Sequence, residues 1–280
     1  VFSGIGSKTH QAVYPLLKQQ RLPSFFVGSD LPEWTQPIRA NVFGFMPTAE
    51  TEARVIGKYI TEKHTGKEFI IWYPEKPVYQ RAVKVLTKEL YSVSAKLLPG
   101  KAGRLSAEWQ LIRKNNPDFL VVLGNYTDVM NFLKFSPQIN IPMLTGHALA
   151  DSRLPEWLGQ KVSERVRVLT AYPLKIETEH PGQILHKLIL SEYAPKLALN
   201  RWTLYGHAVA ELMVEVLNRT GRFLSRQKAV SAAESITNWQ GKLLPPVYLD
   251  SRNHLALTTF RVSRITYGRV SHLSGWIDGK

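Results

Sequence analysis

The 280 residues carry 36 Lys and Arg against 22 Asp and Glu, a formal net charge of +14, with 44% apolar side chains and no cysteine. This is the composition of a folded globular protein long enough for two modest lobes or one large domain; no apolar run reaches the roughly 18 residues that a bilayer span needs. Disulfides, thiolate metal sites and cysteine nucleophiles are excluded, and the lack of cysteine fits an oxidising compartment and the cytosol alike.

In chain order, Lys8 to Gln20 reads as an amphipathic helix, Pro23 to Val27 as a strand and Gly28 to Pro32 as a turn. Asn41 to Phe45 is a short extended piece. Thr48 is a good N-cap for a helix over Ala49 to His64, with Gly66 just past its end. A strand at Glu68 to Trp72, a helix at Val78 to Leu90, a strand at Ser92 to Leu97 and a helix at Leu105 to Lys114 follow. Pro117 cannot continue that helix and biases Asn116 away from it. Phe119 to Leu123 is a continuous apolar run, the pattern of a parallel strand covered on both faces. It ends at Gly124 in a polar turn, Asn125 to Asp128, which precedes a helix over Val129 to Phe135. Pro142 to Thr145 is a short strand, Gly146 to Ala150 another strand-end turn, and Val166 to Ala171 an extended piece closed by Pro173. The texture then changes to successive helices at Gly182 to Tyr193, Trp202 to Asn218 and Arg226 to Ile236. Leu243 to Trp276 reads as strand-rich, with turns at Asp250 to Asn253 and at Gly268. Steps of about 25 to 30 residues between alternating helices and strands are the spacing of right-handed crossover units.

Ligands in open α/β sheets sit outside the carboxyl ends of the strands, so Asn125 and Tyr126 stand where binding groups belong. The string GIGSKT, Gly4 to Thr9, resembles a phosphate loop but lacks its spacing, and no third glycine completes a dinucleotide fingerprint. What remains is a strand-to-helix turn whose free amides favour an anion such as a carboxylate, or one in which Ser7 and Thr9 simply cap the helix. The eight histidines form no HExxH or comparable ligand spacing, and His147 alone lies in a strand-end turn. Nucleophile-elbow and kinase signatures are absent, so no enzyme, no catalytic residue, no metal and no cofactor is expected. The basic residues are scattered beside acids, as in TEARVIGKYITEKHTGKE, and no DNA- or RNA-binding signature accompanies them. No nucleic-acid partner is expected.

The ordered phrases GSKTHQAVYPLLKQQRLPSFFVGSDLPEW, NVFGFMPTAETEARVIGKYI, KEFIIWYPEKPVYQRAV, NNPDFLVVLGNYTDVMNFLK and WTLYGHAVAELMVEVLNRTG resemble the type I periplasmic binding proteins, in particular the substrate-binding component of branched-chain amino acid ABC transporters. The resemblance implies an α/β fold of two Rossmann-like lobes with a ligand cleft between them. One lobe would be 1–46 with 173–258, the other 47–172 with 259–280. It implies a receptor of an ABC-type importer that closes by hinge motion on a small ligand, with an ABC permease as membrane partner. A monomer in the periplasm, or anchored there as a lipoprotein, is expected. The loops at Ser7 and Thr9 and at Gly28, Ser29 and Asp30 would hold an α-carboxylate, while Tyr79, Asn125, Tyr126 and His147 would close over the ligand. The acid that relatives binding leucine, isoleucine and valine use for the ligand's ammonium falls at or next to His147 in this chain. An imidazole cannot take that role, which opens the ligand to an amino acid, aromatic acid or amide unless Asp128 or another acid substitutes. Relatives also carry about two further βα units ahead of the segment matching Val1, so the first lobe is expected to be incomplete and the chain a mature or truncated one. A ligand-sensing regulator or receptor ectodomain on the same fold is the alternative, and a Rossmann-type nucleotide-dependent enzyme a more distant one.

Overall fold

The computed structural model describes residues 1–101, 103–135 and 140–280. The elements in chain order are α1 (Ser7–Gln19), β1 (Ser24–Val27), β2 (Val42–Gly44), α2 (Ala49–Lys63), β3 (Glu68–Pro74), α3 (Pro77–Glu89), β4 (Ser94–Gly100), α4 (Leu105–Asn115), β5 (Phe119–Val122) and α5 (Tyr126–Lys134). They continue with β6 (Met143–Thr145), the short helices α6 (Leu154–Leu158) and α7 (Gln160–Ser163), β7 (Val166–Thr170), α8 (Pro181–Tyr193), α9 (Arg201–Thr220), α10 (Arg226–Glu234), β8 (Thr259–Thr266), β9 (Arg269–His272) and β10 (Ile277–Asp278). Two compact units result: Val1–Thr48 with Thr178–Thr259, and Ala49–Glu177 with Phe260–Lys280. The chain passes between them three times.

In the first unit β1 and β2 pair in parallel. The segment from Val1 to Ile5 bonds to β1 through bridges at Phe2–Phe25 and Ile5–Gly28, and Leu255 bridges Gly44 on the other flank. Among the described residues no strand pairs with the far side of the Val1 to Ile5 segment, where Val1, Phe2 and Ile5 are exposed. The core is aromatic. Phe25 stacks on Phe43 with ring centroids 5.4 Å apart, and Phe43 stacks on His254 at 4.1 Å. His254 is fully buried; its Nδ1 meets the Val42 carbonyl at 2.9 Å and its Nε2 the Glu234 carboxyl at 3.1 Å, tying β2 to α10.

The second unit is a sheet ordered β10-β8-β7-β6-β5-β3-β4, with β9 beside β8. Strands β3 to β7 pair in parallel and β8 runs antiparallel to β7. The apolar run Phe119 to Val122 is buried at every position, as a strand covered on both faces requires. α4 ends at Asn116 in the left-handed region, φ 43°, one residue before the proline that stops it. Phe132 of α5 is fully buried between Trp72 and Trp109, with ring centroids 4.5 and 4.4 Å away. Three departures from the sequence reading have physical causes. Helix α5 begins at Tyr126 rather than Val129, because Asn125 accepts from the Asp128 amide at 2.9 Å while the Asp128 carboxyl takes the Asn125 amide, a reciprocal cap that recruits the polar turn into the helix. Strand β4 runs on through Pro99, which is tolerated because β4 is the sheet edge. The stretch from Leu243 to Thr258 holds only isolated bridges, Trp239–Val247 and Asp250–Asn253 among them, since Pro245 and Pro246 supply no ladder donors.

Candidate functional site

The loops after the Val1 to Ile5 segment and after β1 lie side by side in the first unit, joined by the Ile5–Gly28 bridge. Ser7 opens α1, yet no side chain caps that helix. The Ser7 hydroxyl instead lies 2.7 Å from the Ser29 hydroxyl, and Thr9 turns its own back to the Ile5 and Gly6 carbonyls at 2.9 and 2.8 Å. Ser29 is buried and accepts from Trp34 Nε1 at 3.1 Å and from the Leu31 amide at 3.3 Å. A hydroxyl has two acceptor positions and one hydrogen, so Ser29, with both lone pairs occupied, donates to Ser7. The half-buried Ser7 is therefore left with its hydrogen to offer outward. It does so at the first turn of a 13-residue helix, whose leading amides have no intrahelical acceptor and whose dipole favours negative charge. Gly28 is a close approach: a Cβ there would meet the Tyr205 hydroxyl at 2.7 Å and Ile5 at 3.1 Å. Burial pushes the Tyr205 phenol up, which keeps it a neutral hydroxyl beside the loop. Asp30 is exposed at the tip.

In the second unit the carboxyl ends of β3, β5 and β6 carry the other expected residues. Tyr79 is buried in the first turn of α3. Asn125 caps α5, and Tyr126 is 41% exposed with its ring edge-on to Trp157, centroids 5.5 Å apart. Arg153 lies over the other partner of that pair, its Cζ 4.9 Å from the Trp157 ring, while its guanidinium grips Asp151 at 3.0 Å. Together Tyr126, Trp157 and Arg153 form an aromatic and cationic platform. Asp128 is committed twice, to the cap and to Lys76 at 2.9 Å. His147 is buried: its ring nitrogens meet the Leu169 carbonyl and the Tyr172 hydroxyl, each at 3.3 Å. Its backbone amide donates to Glu52 Oε1 at 2.7 Å, and a Cβ on Gly146 would strike Glu52 Oε2. Glu52, half-buried in the first turn of α2, thus holds this turn through its carboxyl. Trp34, Tyr205, Glu52 and Trp157 were not among the residues singled out from sequence. Glu52 lies 95 positions from His147, with no local pattern linking them.

A groove of about 1160 Å³ lies elsewhere in the first unit, between α8 and α9. His186 and His207 line it with Nδ1 atoms 3.2 Å apart, and His186 Nε2 meets the Thr203 hydroxyl at 3.1 Å. Burial, reinforced by His207, pulls His186 down to about 4. Among the described residues no group of His, Cys, Asp and Glu suits a metal ion, and no helix is long and apolar enough to cross a membrane.

Two α/β units threaded three times by one chain carry hydroxyl, amide and aromatic groups at their strand ends. The chain belongs to the periplasmic binding protein family, whose profile matches residues 1–269. Among solved structures it is similar to a branched-chain amino acid ABC transporter protein from Thermus thermophilus with bound valine, at TM-score 0.78 and 16% identity over 99% of this chain and 78% of that one. It is also similar to a leucine-binding protein from Thermotoga maritima, at TM-score 0.73 and 16% identity over 99% and 80% of the two chains. A fatty acid ABC transporter substrate-binding protein from Thermomonospora curvata aligns at TM-score 0.73 and 15% identity, covering 98% and 73%. No protein of curated function matches the chain. Family membership implies an extracytoplasmic substrate-binding protein, and the fold is the type I arrangement of its relatives.

Proposed function

We propose that the protein is the solute-binding receptor of an ABC-type importer, closing by hinge motion on a small amino acid-like, carboxylate or amide ligand and delivering it to a membrane permease from the periplasm or from a lipoprotein anchor. The observation that carries this reading is the 2.7 Å contact of Ser7 with Ser29 at the N-terminus of α1, where the donors already on Ser29 leave the Ser7 hydrogen to be donated elsewhere. A hydroxyl and unsatisfied helix amides converging on one point suit a carboxylate. On this reading Tyr126 on its Trp157 platform covers the ligand's side chain, and Glu52 supplies the acid for a ligand ammonium. Thermal-shift and calorimetric titration against amino acids, aromatic acids and amides tests it. A saturable rise in Tm with one of these classes is expected. No shift with any of them, together with unchanged small-angle scattering dimensions, sinks the reading.

A further inference from the structure

Basic residues stand beside acids over most of the chain, but not around the loop between α9 and α10. Gly221, at φ 75°, ends α9, and every residue from Gly221 to Lys228 is exposed. Phe223 and Leu224 occupy the middle of that run, 76% and 64% exposed. Arg222, Arg226 and Lys228 flank them, and no acid occurs from Val216 to Ala233. The Lys228 ammonium stands over the Phe223 ring, 5.7 Å from its centroid. Arg226 Nη1 donates to the Gln20 carbonyl at 2.9 Å. That bond brings in the exposed Arg21 just past α1, a helix with no acid of its own. The acids of α9 and α10 are engaged elsewhere. Glu211 accepts from the Lys242 and Leu243 amides at 3.0 and 3.1 Å, Glu215 pairs with Arg219 at 2.6 Å, and Glu234 meets the buried His254 at 3.1 Å. Among the described residues Arg21, Arg222, Arg226 and Lys228 form no ion pair.

A singly exposed apolar residue is ordinary, but two bulky ones side by side within a ring of unpaired cations are a pattern with a chemical match. A hydrophilic polyanion or an acidic protein face would use the cations and leave Phe223 and Leu224 in water. An anionic bilayer uses both, its phosphates taking the guanidinium and ammonium groups and its acyl boundary taking the two apolar side chains. We infer that the loop from Gly221 to Lys228, with Arg21 beside it, is a docking surface for a membrane of anionic phospholipid. The family is extracytoplasmic, so a membrane surface lies within reach. Gln20 and Arg21 precede β1, so the patch stands at the amino end of that strand, whereas the Ser29 loop follows its carboxyl end. Docking therefore does not use the loops that carry Ser7 and Ser29, and it is independent of the ligand reading above.

The test is co-sedimentation of the intact chain with vesicles of phosphatidylcholine alone and of phosphatidylcholine mixed equally with phosphatidylglycerol. Four proteins are compared: wild type, the pair Phe223→Ser with Leu224→Ser, the triple Arg21→Gln with Arg222→Gln and Lys228→Gln, and a control triple, Lys84→Gln with Lys88→Gln and Arg113→Gln. The control residues are exposed bases of the other unit, so both triples lose the same charge, and Arg226 keeps its bond to Gln20. Wild type is expected to bind the anionic vesicles and not the neutral ones, and to be released as salt screens the attraction. Each basic residue at an anionic surface is worth about fivefold in partition, so the patch triple should bind about a hundredfold more weakly than wild type. The serine pair should weaken binding about tenfold or more, through lost apolar burial. The control triple should stay within about fivefold of wild type, the worth of one bound basic residue. No binding to the anionic vesicles overturns the proposal, as does an equal loss in both triples, which marks net charge rather than a patch. Unchanged binding of the serine pair also overturns it, because the surface would then serve any polyanion. All substituted side chains are exposed, so the variants fold, and equal Tm values across the four proteins verify that.

Discussion

The Ser29 hydroxyl gives its hydrogen to Ser7, 2.7 Å away, because its two acceptor positions are filled by Trp34 Nε1 and the Leu31 amide. The two serines therefore differ in what their loss costs. Ser7→Ala removes the outward donor and is expected to weaken binding of a carboxylate ligand by about 1.5–3 kcal/mol, the range for hydrogen bonds to charged groups, with a smaller loss of stability than Ser29→Ala because it strands only the Ser29 hydrogen. Ser29→Ala leaves a buried indole N–H without an acceptor and is expected to cost about 1–3 kcal/mol of stability. Calorimetric titration and denaturant unfolding of both variants separate the two effects. Equal behaviour of the two would contradict the assigned hydrogen-bond direction.

Gly28 is held small by the Tyr205 hydroxyl and by Ile5, at 2.7 and 3.1 Å from where a Cβ would stand. Gly28→Ala is expected to destabilise by about 1–3 kcal/mol, as overpacking does. Tyr205→Phe removes the nearer of the two atoms. In the double variant part of the loss should return, giving a coupling of about 0.5 kcal/mol or more in a double-mutant cycle. Strict additivity in urea unfolding would mean that the backbone, not the phenol, sets the constraint.

The alternation of helix and strand and the strand-end loops were legible because each rests on local pattern, namely apolar runs, Pro117 and hydroxyl residues after strands, whereas the two-lobed class came only from the resemblance of the ordered phrases. The Asn125 to Asp128 turn was read one step short, although Asn-x-x-Asp is itself a capping signature. What sequence could not supply was pairing over distance. Ser7 with Ser29, Gly28 with Tyr205, and His147 with Glu52 are separated by 22, 177 and 95 positions, and each pairing is set by how crossovers stack rather than by any local propensity. His147 illustrates the limit. Its place in a strand-end turn was correctly located, but whether the ring faces solvent or the core depends on Leu169 and Tyr172.

Stability should fall in mild acid through the His186–His207 pair. Burial depresses His186 from 6.5 to about 4 and lowers His207 as well, so the folded chain keeps both rings neutral where the unfolded chain would protonate them. The unfolded state binds more protons, and stability therefore rises with pH through this range. The contribution is fully present above pH 6.5, and is lost progressively as pH falls toward 4. His186→Gln keeps a polar side chain but removes one titration. The difference in Tm between wild type and H186Q should shift in favour of the variant from pH 7.5 to pH 5, measured by differential scanning calorimetry in one buffer system. A pH-independent difference would exclude the pair as an acid-labile element.

Glu108 joins α4 to the sheet by filling two needs at once. One carboxyl oxygen accepts from Trp72 Nε1 at 2.7 Å and the other from the Lys101 amide at 2.8 Å, and the residue is 5% exposed. Trp72 in turn packs on Phe132, so the indole is held at both its polar tip and its apolar face. Glu108→Gln retains one acceptor but places an NH₂ against a second donor, and is expected to cost about 1–3 kcal/mol. Glu108→Leu strands both donors and should cost more, about 2–5 kcal/mol, even though it adds apolar bulk. Phe132→Ala, which opens a cavity between Trp72 and Trp109, should cost about 3–5 kcal/mol. Because Glu108 and Phe132 act on opposite sides of the same indole, the two losses should be less than additive in the double variant: once one side is released, Trp72 no longer delivers the full benefit of the other. Urea unfolding of the two single variants and the double variant, followed by tryptophan fluorescence, measures that shortfall directly.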